Sequence, residues 1–598
     1  MMKDQISKRV DALRQWLKNY DLEAYILPST DPHAGEYIPA YWQCRQWISG
    51  FDGSAGTAVV TLDDAALWTD SRYFIAATQA LADTPFCLMK ERVEGTPSIA
   101  DWLGQKIKRG GKVGIDGKVF TYRDALALQD ELARYDISVV ADFSAPDELW
   151  VEDRPKLPDS DIVVQPLEWA GETVASKISR LMDEVERMGC SQMLVSQLDE
   201  VAWLLNLRGA DVHCNPVFVA YCIVGRNGAT LYCDPMKINS DVAAYLDQNN
   251  VKVADYYKAE LDLMRSQTIT LVSPLTNAAM AMCAFNAEKG TAVVADSPIA
   301  SMKAVKNRQE ISGMRQAMLQ DGVALVKWLR WLSEAVPRGG ETELSIDAKL
   351  TELRKEHADF RGLSFDTIAA YNEHGAIVHY EATPETDVPL KPEGILLVDT
   401  GAQYVCGTTD ITRTILLGSS ATDEQKKVYT LVLKGHIALS RLKFPRGASG
   451  TQLDLAARSD MWREGYNFGH GTGHGVGAYL NVHEGPHQIR MNYMPAPIVE
   501  GMTVTDEPGL YLEGRFGVRI ENVLLCVPYM ETEFGTFVGF EPLTLCPIDK
   551  RLIDTTMLCD TEKEWLNDYH CHVVETLLPL LDDEADRDWL KEACKPLG

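Results

Sequence analysis

Residues able to do chemistry are concentrated in one stretch of the chain. Seven of the twelve histidines fall between positions 374 and 487, and six of those (374, 379, 470, 474, 483 and 487) lie outside the helical pattern that carries His436. They coincide with glycine-rich turns, the places from which a rigid scaffold displays functional groups. Asp399 closes the apolar run GILLVD, TGAQY reads as a turn, and Asp410 lies in the returning run VCGTTDITRTILL. A hairpin there would bring both carboxylates onto one face. GHGTGHGVG, residues 469–477, is too rich in glycine for a regular helix, so His474 is expected on a loop or strand. Glu507 ends an apolar run before Pro-Gly. Glu521 is embedded in the β-like run VRIENVLLCV, where a charged residue is rarely buried unless paired.

Singly, each feature has an ordinary structural reading: solvated turn aspartates, a glycine turn with incidental histidines, an outward-facing strand glutamate. Together they are four carboxylates and an imidazole that one domain could gather. Two carboxylates about 4 Å apart repel by roughly 4 kcal/mol at an effective dielectric of about 20, so four in one pocket call for cations. Two divalent ions balance the charge. An oxygen-rich set with one nitrogen favours Mn2+, with Zn2+, Co2+ or Fe2+ as alternatives. A metal pair activates water and polarises a carbonyl, which suits hydrolysis of an amide or ester.

The elements that must position these groups alternate helix and strand. Near the N-terminus, Ser7–Tyr20 reads as a helix, Ala24–Leu27 as a strand, and TAVVTL and AALWTD as further strands. A polar, proline-bearing stretch from Glu152 to Asp161 reads as a linker. The pattern then recurs: Lys177–Met188 as a helix, then QMLVSQ, PVFVAYCIVG and ATLYCD as strands. YILPSTD aligns with MLVSQLD, and AALWTDS with ATLYCDP. The expected organisation is therefore two domains of one architecture, about 1–152 and 160–302, ahead of a third at 303–598 with an extension from about 550. The fold class is α/β (α+β). The third domain opens with a capping box, Asn307 with Glu310. A long helix follows, with Ile311, Met314, Met318, Leu325, Trp328 and Leu332 on one face. His436, after a second capping box at Thr422–Gln425, reads as structural. The acidic tail reads as a terminal helix packed on the domain, or as a dimerisation element.

Composition limits the partners. The 598 residues are 46% hydrophobic and 24% charged, with a net charge of -28. That charge opposes phosphate backbones and anionic membrane surfaces, so neither nucleic acid nor membrane is expected as a partner. The thirteen cysteines are scattered, odd in number and without CxxC, which suits free thiols in a reducing compartment. The amphipathic N-terminus lacks the apolar core of a signal peptide, and no apolar run approaches membrane-spanning length. A cytoplasmic location is the expectation.

Asp399, Asp410, His474, Glu507 and Glu521, in this order and these contexts, resemble the metal-binding residues of the dimetal "pita-bread" peptidases. That family includes methionine aminopeptidase, prolidase and aminopeptidase P, while creatinase shares the fold without the metals. The strings YIPAYWQCRQWISGFDGSAGTAVVT, LWTDSRYF, LDEVAWLLNLRG, GAIVHY, LLVDTGAQY, GTTDITRT, GHGTGHGVG, NVHEGP, TDEPG, GVRIEN and FEPLTL extend the resemblance from about residue 36 to 545. They are most similar to the three-domain, cytosolic type of Xaa-Pro aminopeptidase.

The resemblance implies two creatinase-like N-terminal domains followed by a pita-bread catalytic domain. It implies metal-dependent release of the first residue from peptides with proline second, by attack of a metal-bridged hydroxide on the Xaa-Pro amide, and a homodimer. Asp399, Asp410, His474, Glu507 and Glu521 take the metal-ligand positions, and Glu507 also takes the proton from water. His379 contacts substrate and steadies the reacting carbonyl. His470 and His483 line the proline-side pocket and hydrogen-bond the substrate. Arg519 supports Glu521, and Glu36 reaches the substrate amine. No ligand role is expected of His374, His487 or Cys406: His487 reads as a surface or packing residue and Cys406 as a small buried one. Two other readings remain at this point. A prolidase would cut only Xaa-Pro dipeptides, and a binding module that had lost catalysis would lack metal ligands.

Overall fold

Short, nearly continuous apolar runs build two six-stranded mixed sheets in the N-terminal part of the chain. The computed structural model describes residues 2–598 and divides into two compact units. One comprises the chain up to Gln165 with Glu172–Ile299, and the other Pro166–Gly171 with Ala300–Gly598.

In the first unit, β1 (Ala24–Pro28), β2 (Thr57–Thr61), β3 (Ala65–Thr69), β4 (Cys87–Lys90), β5 (Lys112–Gly114) and β6 (Ser138–Val140) form a sheet of order β4-β3-β2-β1-β5-β6. The second sheet has β7 (Gln192–Val195), β8 (Tyr221–Gly225), β9 (Gly228–Cys233), β10 (Val251–Asp255), β11 (Ile269–Val272) and β12 (Thr291–Val294), in the order β10-β9-β8-β7-β11-β12. The two orders are the same once renumbered. The sense of pairing also matches: each sheet has two antiparallel contacts around its second strand and parallel contacts elsewhere. The first sheet is covered on both faces. Tyr25, Leu27, Val60 and Leu67 point to the N-terminal helix, whose Ile6, Val10, Leu13 and Leu17 recur at helical spacing. Ala24, Ile26, Val59 and Trp68 point to the other face, against Leu103 and Leu132.

The second unit is organised around α1 (Arg308–Arg338). Asn307 and Glu310 cap it reciprocally, and Met314, Met318, Leu325, Trp328 and Leu332 are buried along it. α2 (Glu343–Arg354) follows, then a three-stranded antiparallel sheet of β13 (Ile368–Tyr371), β14 (Ile395–Thr400) and β15 (Ile411–Leu416). After α3 (Asp423–Ser440), a six-stranded sheet is formed by β16 (Lys443–Pro445), β17 (Gly473–Gly475), β18 (Glu484–Ile489), β19 (Thr503–Asp506), β22 (Asn522–Thr532) and β23 (Gly535–Pro542). Its order is β16-β23-β22-β19-β17-β18. A two-stranded ribbon, β20 (Gly509–Leu512) with β21 (Phe516–Arg519), lies between β19 and β22 in sequence. The tail forms α4 (Asp560–Leu577) and α5 (Glu584–Ala593). Leu566, Tyr569, Val573, Leu577 and Leu590 join the core that contains Val428, Leu431 and Val432 of α3, so the tail packs on its own unit. Among the described residues all thirteen cysteines are free thiols, and no helix is long and apolar enough to cross a membrane.

Candidate active site

The β14–β15 hairpin sets the first two carboxylates. Asp399 stands opposite Thr412 in antiparallel register. Asp410 lies two residues before Thr412, on the same side of the strand by the period of two. Thr412 ties in a third group. Its carbonyl accepts from the Glu521 N–H at 3.0 Å, and its hydroxyl donates to Glu521 Oε2 at 2.8 Å. Glu521 does not lie inside one continuous strand, as its sequence context suggests. It occupies the break between β21 and β22, where the chain leaves the ribbon for the six-stranded sheet. Arg413 braces that break from behind. Its Nη1 donates to the Glu521 carbonyl at 2.6 Å, and its Nη2 to Asn522 Oδ1 at 2.8 Å and to the Tyr569 hydroxyl of α4 at 3.0 Å.

Glu507 follows β19 directly, and its N–H donates to Thr472 O at 2.8 Å. His474 is the centre of the short strand β17, flanked by glycines that nothing larger could replace. A Cβ on Gly473 would stand 1.9 Å from Thr505 O, and one on Gly475 would stand 2.4 Å from Glu484 O. The His474 Nδ1–H donates to Gly475 O at 2.9 Å, which turns Nε2 toward Asp410 Oδ2 (3.5 Å) and Glu507 Oε1 (3.7 Å). One ligand atom each from Asp410, His474 and Glu521 lies within 4.8 Å of the others.

These groups are withdrawn from water. Asp410 is 3% exposed and Glu521 1%. Burial, then the charge of Asp399 and Glu507, pushes the Asp410 carboxyl well above its ordinary range, against the pull of His483 and Arg519. Burial, followed by Asp410, Asp399 and Glu507, does the same to Glu521. Asp399 Oδ1 is buried and has no hydrogen-bond partner among the described residues. A buried carboxylate oxygen without a donor, beside two carboxyls driven toward neutrality, fits a site built for divalent cations.

Arg519 has a different partner from the one expected. Its Nη2 and Nε donate to Asp399 Oδ2 at 2.6 and 3.1 Å, and Nε also donates at 3.1 Å to the Thr412 hydroxyl that bonds Glu521, so its link to Glu521 runs through Thr412. From the ribbon, Arg519 reaches across to Asp399 of β14. Its Nη1 donates to the Tyr511 hydroxyl at 2.6 Å, and Tyr511 in turn bonds His470 Nε2 at 2.8 Å. Sequence reasoning missed Tyr511. The available signal was its place on the ribbon strand that pairs with the strand of Arg519. His470 Nδ1 bonds Gly471 O at 2.7 Å, so both ring nitrogens are engaged within the protein. A hydrogen bond from His470 to substrate would have to displace one of these.

The His483 ring lies edge-on to His474 with centroids 4.3 Å apart. His379 is half-buried just after the 3-10 turn Asn372–Ala376. Glu36 lies in the N-terminal unit, where its carboxylate stands 3.6 Å from Arg72. His436 is fully buried behind Glu507, against Asp506 and Asn522, in a structural role. His487 is not at the surface: it is fully buried, with Nε2 on Thr503 O at 2.8 Å. Cys406 is buried with Ala317, Ala402 and Tyr404, and burial pushes its thiol up to about 12.

Residues 312–528 match metallopeptidase family M24, and 536–597 match the C-terminal region of that family. Residues 9–145 and 153–310 match creatinase/prolidase N-terminal domains. The chain is 40% identical to a probable Xaa-Pro aminopeptidase P of Aspergillus fumigatus, over 99% of this chain and 93% of that one. It is 39% identical to Xaa-Pro aminopeptidase 1 of Dictyostelium discoideum, over 100% and 97%. The crystal structure of X-prolyl aminopeptidase from Caenorhabditis elegans, described as a cytosolic enzyme with a di-nuclear active site, matches with a TM-score of 0.92 at 34% identity, over 96% of this chain and 95% of that one. With that fold, and with carboxylates and an imidazole gathered on its strands, the chain belongs to metallopeptidase family M24 and, within it, to the Xaa-Pro aminopeptidases.

Proposed function

We infer that this chain removes the N-terminal residue from peptides whose second residue is proline, and that Asp399, Asp410, His474, Glu507 and Glu521 hold two divalent ions for the purpose. The observation that carries the reading is the buried cluster of Asp410, His474 and Glu521, with Asp399 Oδ1 lacking a donor, in a chain related to Xaa-Pro aminopeptidases over its full length. An oxygen-rich set with one imidazole favours Mn2+ over Zn2+, Co2+ or Fe2+. Such ions, when bound, lower the pKa of water and polarise the scissile carbonyl.

The chain's own residues supply positioning and proton transfer. Glu507, with its side chain 18% exposed, is the most accessible of the carboxylates and carries a proton to the leaving proline nitrogen. The amide being cut is tertiary: it has no N–H, and its ring fixes the geometry. Imidazoles can recognise such a substrate where backbone pairing cannot. His379 and His483 donate to the carbonyl oxygen as negative charge develops on it. His470, held by Tyr511, lines the proline side. The free thiols and the cytosolic relative support a cytoplasmic location, and the resemblance supports a homodimer.

Hydrolysis of Xaa-Pro-Yaa against Xaa-Ala-Yaa by metal-stripped protein, with and without added Mn2+, tests the reading. Metal-dependent release of Xaa from the proline peptide alone is expected. Cleavage of both peptides would remove the proline specificity. Cleavage of neither, by folded and metal-loaded protein, would remove the activity.

A further inference from the structure

We propose that Glu343 is a positioning residue for His379, acting through a clamp on residues 371–380. The proposal rests on the reading of His379 as a group that meets the substrate.

The Glu343 side chain is fully buried. A buried carboxylate persists only where donors satisfy its oxygens. Here the donors come from one ten-residue segment. The Tyr371 N–H donates to Oε1 at 2.7 Å, His374 Nδ1 lies 2.9 and 3.1 Å from the two oxygens, and the Tyr380 hydroxyl donates to Oε2 at 2.8 Å. The segment leaves β13, makes the turn that carries His374, and ends at His379 and Tyr380. One carboxylate therefore grips its start, its middle and the residue next to His379.

The two side chains it holds also hold each other. The His374 and Tyr380 rings are stacked, with centroids 4.4 Å apart and planes 30° apart. The bond to Glu343 raises the His374 pKa, so the contact is charge-assisted. Glu343 lies in the first turn of α2, where the helix dipole favours a negative charge. The far side of the segment is registered against β21. A Cβ on Gly517 would stand 1.7 Å from Gly375 O, so the two backbones meet directly. Val378 O faces Arg519 Nη1 at 3.5 Å. His379 is thus carried on a loop fixed from α2 on one side and from the Arg519 strand on the other. A shift of about 1 Å in such a group can cost about a hundredfold in rate.

The test is a double-mutant cycle in the metal-loaded, full-length protein: Glu343→Gln, His379→Ala and the pair, assayed on an Xaa-Pro-Yaa peptide. Tyr380→Phe is a milder second probe, should the Gln variant fail to fold. Glu343→Gln is expected to lower kcat/KM by about 10- to 100-fold in the presence of His379, and by less than about twofold in its absence. Metal content should stay at the wild-type value. A Glu343→Gln or Tyr380→Phe loss that persists undiminished beside an impaired His379→Ala, or no loss in either variant, overturns the clamp. Full activity of His379→Ala alone removes the reading of His379 on which the clamp depends.

Discussion

Arg519 Nη2 lies 2.6 Å from Asp399 Oδ2 and leaves the other oxygen of that carboxylate buried without a donor. The guanidinium therefore fixes which oxygen of Asp399 faces the cluster. A lysine would keep the charge and lose the fork that also reaches Tyr511. Arg519→Lys should weaken metal binding by about 10- to 100-fold, the usual cost of losing an outer partner of a ligand. Metal titration of the stripped protein measures this directly, and unchanged affinity would remove the fork from the account.

Tyr511→Phe should behave differently. Its hydroxyl joins Arg519 to His470, 2.6 Å from one and 2.8 Å from the other, and touches no proposed metal ligand. Turnover should fall by about tenfold, equivalent to ~1.4 kcal/mol, with metal content unchanged. Steady-state kinetics alongside metal analysis separates this from the Arg519 variant.

Replacing Glu521 by Gln should have opposite effects on stability in the two states of the protein. Without metal the buried carboxyl either keeps its charge against its neighbours or takes up a proton that the unfolded chain does not hold, so the neutral amide should stabilise the fold by roughly 2 kcal/mol. With metal it removes a ligand and should destabilise. Thermal unfolding of wild type and variant, each with chelator and with Mn2+, should show the order of the two melting temperatures reverse.

Two buried histidines make the fold acid-sensitive. Burial lowers the His487 pKa from 6.5 to about 4 and that of His570 from 6.5 to about 3. The Ile548 N–H donates to His570 Nε2, a contact that requires the neutral ring. Below 6.5 the unfolded chain takes up protons that the folded chain does not. The contribution of each histidine is therefore complete above that pH and is lost as pH falls toward about 4 for His487 and about 3 for His570. Urea unfolding of wild type beside a His487→Asn/His570→Asn variant, at several pH values, should show the gap between them narrow across that window.

The sequence carried the site further than it carried its supports. The pairing of Asp399 with the Asp410 strand could be read because two apolar runs with a turn between them have few ways to fold. The glycines around His474 excluded a helix and left loop or strand open; the pairing with β18 and β19 makes it a strand. The direct partner of Arg519 was not legible, because adjacency in sequence pointed to Glu521 while its side chain bonds Asp399 of β14 and reaches Glu521 only through Thr412. The break at Glu521 had no local signal, because VRIENVLLCV is β-like throughout and only the contact with Thr412 ends one strand and starts the next. His374 looked incidental because its partner, Glu343, lies 31 residues earlier in the chain.

The Arg413 brace has a consequence for the order in which the protein is made. The five proposed ligands are all present once synthesis passes residue 521, yet the guanidinium that holds the Glu521 backbone also bonds Tyr569, which lies further along in α4. A growing chain on the ribosome has the ligands before it has that support. Full cutting power should therefore arrive only after α4 emerges, so that a nascent chain stopped between residue 521 and α4 is a weak peptidase.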